Sequence, residues 1–265
     1  MLSRTEGIVL KSTVYGEADL IVTYLTGDFG LVKVFAKSPR KTKSRFGSSL
    51  EPLTYSTISF LGKEDAGLPR LTQSDIITSF HQLREDYTCF VRLAEILELM
   101  IHFVPEREPN GNMFGLLLQM LSKLRPGDPN ALYFLFYKIR FLGIAGYLPR
   151  LEACGRCGNR TLERMEGRFY ISHGSLICDS CKDESTDAIT LSRSALKFYD
   201  SIIQWQFANI DRVKAPVALI SELEDLIDSH IGYILARPLK SVAFTEKKRK
   251  VYNCSGERIS HKDRG

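Results

Sequence analysis

What the chain lacks narrows its roles first. No apolar run reaches the ~18 residues that a membrane-crossing helix needs. The opening Met1-Leu-Ser-Arg4 does not lead into the apolar stretch of a secretion signal. The chain is therefore expected in the cytosol and off the membrane, where thiols stay reduced. There is no Gly-x4-Gly-Lys-Ser/Thr loop, which removes a P-loop ATPase. No His-x-Glu accompanies the cysteine pairs, which disfavours a zinc deaminase. His81, His102, His173, His230 and His261 are scattered. His102 and His230 fall in helical stretches, where packing or surface roles are expected. Glu17 and Asp19 are neighbours beside a strand, which reads as a solvated turn. No constellation supports catalysis, so a non-enzyme with no catalytic residues is expected. Internal repeats and low-complexity runs are also missing.

What is present is ordinary in bulk and uneven in detail. Hydrophobic residues make up 44% and charged residues 25% of 265 positions, enough for two domains, or two with a small insert. The net charge is +5. Residues 246–265 hold seven Lys or Arg against three acids, so this tail carries +4 of it. Phe29 to Leu50 holds six Lys or Arg and no acid. Such a segment suits a polyanion, most often nucleic acid; the alternative is a loop that only aids solubility.

Six cysteines are present. Four form two pairs: Cys154-Gly-Arg-Cys157, twenty residues, then Cys178-Asp-Ser-Cys181. Two residues between thiols let a tight turn aim both sulfurs at one point, and two such knuckles can close a tetrahedral cage around one zinc ion. Gly155, Gly158 and Asn159 supply permissive backbone. Between the knuckles, Arg168–Ile171 and Leu176-Ile177 can form two short strands turned at His173-Gly174. That is a zinc ribbon with a structural metal, since four thiolates leave no position for a reacting water. The alternatives are a pair of disulfides, or His173 replacing one thiolate. Cys89 reads as a buried thiol and Cys254 as incidental.

Residues 1–80 read as strands: Glu6–Lys11, Asp19–Thr26, Leu31–Ala36, Leu53–Leu61 and Leu68–Ile77. In the third, Val32, Val34 and Ala36 share one face and Leu31, Lys33 and Phe35 the other. Five strands with no long helix between them suggest a five-stranded OB-fold barrel. From Leu83 the period changes. Tyr87, Phe90, Ala94, Leu97, Ile101 and Val104 predict one helix of about twenty residues. Met113–Leu124 is a second. Asp128-Pro129 opens a third through Leu142 that is apolar nearly all round and should be the buried centre. Helices follow over Ser192–Phe207, with Ser192 as N-cap, and Val217–Leu235, ended by Pro238. The expected fold class is α+β: an OB barrel, then an α-helical domain with an inserted four-cysteine ribbon. The expected boundaries are 1–80 for the barrel, 81–150 and 186–245 for the helices, 151–185 for the ribbon and 246–265 for a mobile tail.

Three segments carry a resemblance. The first is Glu6-Gly-Ile-Val-Leu-Lys-Ser-Thr-Val-Tyr-Gly-Glu-Ala-Asp-Leu-Ile-Val-Thr-Tyr-Leu-Thr26, with Gly30-Leu-Val-Lys33, Lys43-Ser-Arg45 and Leu50-Glu-Pro52 after it. The second is Gly146-Tyr-Leu-Pro-Arg-Leu-Glu-Ala-Cys154. The third, weaker, runs from His230-Ile-Gly-Tyr to Ser241. Together they resemble the RecO family of bacterial DNA repair and recombination mediators. The resemblance implies a DNA-binding OB-fold, a helical domain and a zinc ribbon. It also implies binding of ssDNA and dsDNA, strand annealing, and help for RecA in replacing single-strand-binding protein (SSB), within the RecF pathway at the bacterial nucleoid. Implied partners are RecR, the acidic-apolar C-terminal tail of SSB, and RecA indirectly. The alternative is an RNA-binding or transcription-associated OB and zinc-ribbon module.

Residues follow from both readings. Lys33, Lys37, Arg40, Lys41, Lys43 and Arg45 are candidate phosphate contacts, and Phe46 is a candidate stacking group or a packed core residue. Arg140 matches a position often basic in the family and is the candidate cation for the SSB tail; otherwise it is a salt-bridge or snorkelling residue.

Overall fold

A computed structural model of the chain describes residues 2–41, 44–62, 67–127, 130–160, 167–182 and 188–236. Lys43, Asp128, Pro129, Pro238, Cys254 and the basic tail lie outside them. The first five strands are β1 (Leu2–Tyr15), β2 (Asp19–Thr26), β3 (Gly30–Ala36), β4 (Thr54–Leu61) and β5 (Arg70–Ser79). They close into an OB-like barrel in the order β1-β2-β3-β5-β4. Closure is made by one parallel pairing, Phe35 with Arg70, and Phe35 N–H donates to Pro69 O at 2.8 Å.

Strand alternation decides which residues fill the barrel. Val9, Val22, Tyr24, Val32, Val34 and Ala36 point inward and pack with Ile58, Phe60 and Leu71. The opposite faces of β1 to β3 point outward. At one end of that outer face, Ile8, Leu10, Leu25 and Leu31 are buried in a second core formed with the helices. β1 runs well beyond the expected Glu6–Lys11, because Ser12 to Tyr15 keep pairing with Asp19 to Val22 up to the turn at Gly16.

The helices are α1 (His81–Glu85), α2 (Tyr87–Phe103), α3 (Gly111–Lys123), α4 (Ala131–Ala145), α5 (Arg193–Gln204) and α6 (Val217–Leu235). The single helix expected after Leu83 is two. Asp86 breaks it with an extended backbone, and its carboxylate accepts Cys89 N–H and Gly127 N–H. Its buried face is also turned from the expected one: Cys89, Leu93, Ile96, Leu97, Leu99 and Met100 are inside, whereas Tyr87 is 56% exposed. α2 packs between β1 and α4, so its buried arc is wide and aromatic spacing alone misplaces it. Burial raises the Cys89 thiol to about 11, with Asp86 adding to the effect.

α4 is the centre of the helical body, with Leu132, Phe134 to Ile139, Phe141 and Leu142 all buried. One of them is Lys138, whose Nζ lies 2.6 Å from Asp228 Oδ1 and 3.2 Å from Glu95 Oε2. Burial alone would lower its pKa; the two carboxylates outweigh that and raise it. Ser192 caps α5, its Oγ accepting Ala195 N–H at 3.1 Å. α5 ends at Gln204, and Phe207–Arg212 form a separate 3-10 turn.

A second sheet holds β6 (Arg150–Cys154), β7 (Gly167–Tyr170), β8 (Ser175–Leu176) and β9 (Ala188–Leu191) in the order β6-β8-β7-β9. The expected two-strand hairpin is thus flanked on both sides. Its inward residues Leu151, Phe169, Leu176 and Leu191 join the helical core.

Barrel and helical body come close together at Gly30. Leu31 N–H donates to Pro105 O, Arg107 N–H returns to Leu31 O, and Asn110 N–H reaches Gly27 O. Gly30 has φ +58°, and a Cβ there would stand 2.1 Å from Glu108 O. Gly30→Ala is expected to cost at least about 2 kcal/mol through left-handed strain and this clash. Urea unfolding checks it; an unchanged midpoint would mean that the seam relaxes freely.

Candidate metal centre and nucleic-acid interface

The four cysteines converge. Cys154 ends β6, Cys157 follows one turn later, and Cys178 and Cys181 follow β8. The sulfurs all lie within 4.8 Å of one another, with Cys157 Sγ and Cys178 Sγ 3.7 Å apart. A tetrahedral four-thiolate site with metal–sulfur bonds of ~2.3 Å has sulfurs about 3.8 Å apart, whereas a disulfide needs about 2.05 Å. The thiols are free. The disulfide alternative therefore does not describe this geometry.

Local backbone builds the cage. Gly158, at φ +71°, turns the first knuckle and donates its N–H to Cys154 O at 2.9 Å. Gly155 N–H donates to Leu176 O, and its missing side chain leaves room for Ser175, which a Cβ would meet at 2.1 Å. Burial alone would raise the Cys154 thiol. The backbone N–H groups of Cys157, Cys178 and Arg156 outweigh it and bring it down to about 6. Cys181 moves the other way, to about 12, chiefly because its thiol hydrogen-bonds to the Cys178 and Cys157 sulfurs and so keeps its proton. Such a donor set suits a cation at its centre. His173 lies beside the knuckles, its Nε2 3.3 Å from Arg156, and is not one of the converging ligands.

The ribbon's attachment explains two of the family-like segments. Gly146, at φ +81°, ends α4, and Tyr147 N–H turns back to Leu142 O at 2.8 Å. The chain then enters β6 past Pro149, whose carbonyl accepts Tyr199 Oη–H at 2.8 Å. His230 of α6 sits 2.9 Å from Tyr147 O through Nε2 and packs edge-on to Phe169. Burial holds its pKa below the usual histidine value, against an opposing effect of that carbonyl.

The cations of the loop after β3 gather beside the β1–β2 turn. Lys37, Arg40, Lys41 and Arg45 are exposed on the loop after β3. This loop is tied to the β1–β2 turn: Arg40 Nη1 donates to Glu17 O, Arg40 N–H to Ala18 O, and Ser38 N–H to Asp19 Oδ1 at 2.6 Å. Asp19 is therefore an anchor of the basic loop rather than a solvated turn residue. Lys33 is exposed on β3 and ion-paired with Glu106. Phe46 is corrected from a stacking group to a core residue. It is 4% exposed in the barrel interior, with the Arg45 guanidinium 4.8 Å above its ring, so no face is free for a base.

Lys11, Tyr15 and Phe35, which the sequence reading does not single out as site residues, share the outer face with Lys33. Register aligns Lys11 with Thr23 and Thr23 with Lys33 across three strands. Tyr15 and Phe35 pack edge to face at 6.0 Å further along the same outer surface. The alternation Lys11, Thr13, Tyr15 carries that face in the sequence, beyond the strand expected over Glu6–Lys11.

Arg140 lies on the wall of a groove of about 1140 Å³ between α3, α4, α5 and the 3-10 turn. Its guanidinium donates to Trp205 O and stands 5.3 Å from the Phe136 ring. Leu116, Ile139, Ile144, Leu148, Ile203 and Phe207 supply apolar lining, and Lys123 adds a second cation, which is paired with Asp211. Arg140 has no carboxylate partner among the described residues.

An OB-like barrel joined to a helical body with a four-cysteine ribbon defines a barrel-and-helix protein with a metal-competent ribbon. The comparisons make it specific. Family models described as Recombination protein O N terminal and Recombination protein O C terminal match residues 1–80 and 84–243. The DNA repair protein RecO of Thermodesulfovibrio yellowstonii is 46% identical over 236 residues, covering 87% of this chain and 92% of that protein. DNA repair protein RecO of Dehalococcoides mccartyi is 33% identical over 247 residues, covering 93% and 96%. That of Bacillus subtilis is 28% identical over 263 residues, covering 98% and 100%. The chain belongs to the RecO family, whose role is DNA repair and recombination. No described helix is long and apolar enough to cross a membrane.

Cobalt(II) added to the reduced protein should give the strong sulfur-to-metal absorption of four thiolates, and Cys157→Ser should weaken it. A spectrum showing only oxygen and nitrogen ligation would remove this metal centre.

Proposed function

We propose that this protein is a recombination mediator of the cytoplasm that acts at the nucleoid. It binds ssDNA and dsDNA, anneals complementary strands and, with RecR, helps RecA replace SSB. The observation that carries this reading is the group of exposed cations Lys37, Arg40, Lys41 and Arg45, tied by Asp19 and the Glu17 carbonyl to the open end of an OB-like barrel. Lys33 contributes once its pairing with Glu106 is exchanged for a phosphate. Lys43 belongs to the same basic segment. Phosphate contacts release counterions and carry no base identity, which suits a protein that must treat any two strands alike. Neutralising both backbones lowers their mutual repulsion. No chemical step is assigned to any side chain.

The metal this reading assigns is one structural zinc on Cys154, Cys157, Cys178 and Cys181. Four thiolates close the site, so the ion would join the two knuckles and hold the ribbon edge against the helices. The SSB tail would lie in the groove beside Arg140. An acidic-apolar peptide needs apolar walls and a cation at the rim, and Arg140 meets a neutral carbonyl and the Phe136 ring, with no carboxylate partner among the described residues.

Two experiments test this. A Lys37→Glu, Lys41→Glu, Arg45→Glu variant should bind a labelled single strand at least tenfold more weakly, with the salt slope reduced by roughly 2 for three lost contacts. Equal affinity and slope would remove the loop from the interface. Arg140→Ala should bind an SSB-tail peptide about tenfold more weakly than wild type while melting at the same temperature. Unaltered peptide binding would vacate the groove.

A further inference from the structure

We propose that Tyr15, seated against Phe35, is a base-stacking platform that engages single-stranded and not duplex DNA. The inference rests on the DNA-binding reading above and divides that site into two parts with different substrates.

The argument starts from strand register. Tyr15 pairs with Asp19, Thr13 with Ile21 and Ile21 with Phe35. Directly opposed residues share a face, as do residues two apart on a strand. Tyr15, Thr13, Ile21 and Phe35 therefore lie on the same outer face as Lys11, Thr23 and Lys33. At the far end of that face, Ile8, Leu25 and Leu31 are covered by the helices. At the near end nothing among the described residues covers Tyr15, which is 56% exposed. A large aromatic side chain is rarely left in water when it could be buried, and this one is held in place from the side, its ring at 89° to that of Phe35. That contact fixes the ring and leaves most of its surface open to a ligand.

The surroundings select the ligand. Lys11 stands four residues away on the same strand, about 13 Å by strand rise. Lys37 and Arg40 follow Phe35 on the loop pinned to the β1–β2 turn. An exposed ring among cations suits a polyanion that carries flat apolar surfaces, which describes a nucleic acid strand. Only unpaired bases offer those surfaces, because in a duplex each base face is covered by its neighbours. The loop cations, by contrast, read phosphates of either form. Stacking thus adds to single-strand affinity alone and is forfeited when two strands pair, so annealing itself loosens the product.

The test uses full-length protein, a dye-labelled oligothymidylate and a blunt duplex of equal length, at one salt concentration and then along a salt series. Tyr15→Ala should weaken oligothymidylate binding about tenfold and leave duplex binding within twofold, with the salt slope of both unchanged. Tyr15→Phe should keep near wild-type affinity, since it retains the ring. Equal losses on both substrates, or no loss on either, would overturn the platform. So would intact oligothymidylate binding with loss of RecR binding, because Tyr15 would then belong to a protein interface. Wild-type protein that bound neither DNA would instead overturn the DNA-binding reading itself. The triple loop variant separates the two cases: it should weaken both substrates whatever Tyr15 does.

Discussion

The close approach of barrel and helices at Gly30 is the constraint on which the rest depends. Backbone bonds from Leu31 and Arg107 lock β3 to the segment after α2, and the missing Cβ lets the two segments come within contact distance. Ile8, Leu10, Leu25, Leu31 and Leu53 then enter the same core as the helices. Apolar burial of this kind contributes roughly 1.5–3 kcal/mol per large side chain. The consequence is positional: the outer face of β1 to β3 is closed at one end and open at the other. The loop cations Lys37 and Arg40 lie with Tyr15 at the open end.

The helical body serves a different purpose. α4 is buried on nearly every side, and even its lysine is held by two carboxylates. The Lys138 ammonium is buried while its carboxylate partners reach toward solvent, so the two ion pairs hold α4 as a fixed wall. On that wall Arg140 borders an apolar groove and, through Trp205 O, links to the end of α5. The ribbon is fastened to the same body by Phe169, Leu176, Tyr199 and His230. The converging sulfurs, which could hold a metal ion, lie on the rim, while the other side of the sheet is packed against the helices.

Much of this was legible in the strand and helix periods. β2 and α6 run as their sequence patterns imply, and β3 differs by the single residue Gly30. The Cys-x-x-Cys pairs announced a converging cage before any distance was known. α2 was less legible, because a helix gripped from two sides shows no single apolar stripe. Phe46 was ambiguous for a related reason: a phenyl ring beside an arginine in a loop can stack on a ligand or fill a barrel, and local sequence does not say which.

The sequence by itself determined the elements, the cysteine cage and the concentration of positive charge, because each depends on neighbours within a few residues or on fixed spacing. Tertiary structure decided which cations stand free, that Asp19 pins the basic loop, that Phe46 faces inward and that Tyr15 faces out beside Phe35. Those outcomes come from cross-strand register and domain docking. They join residues about twenty or more positions apart, a pairing that local alternation alone does not specify.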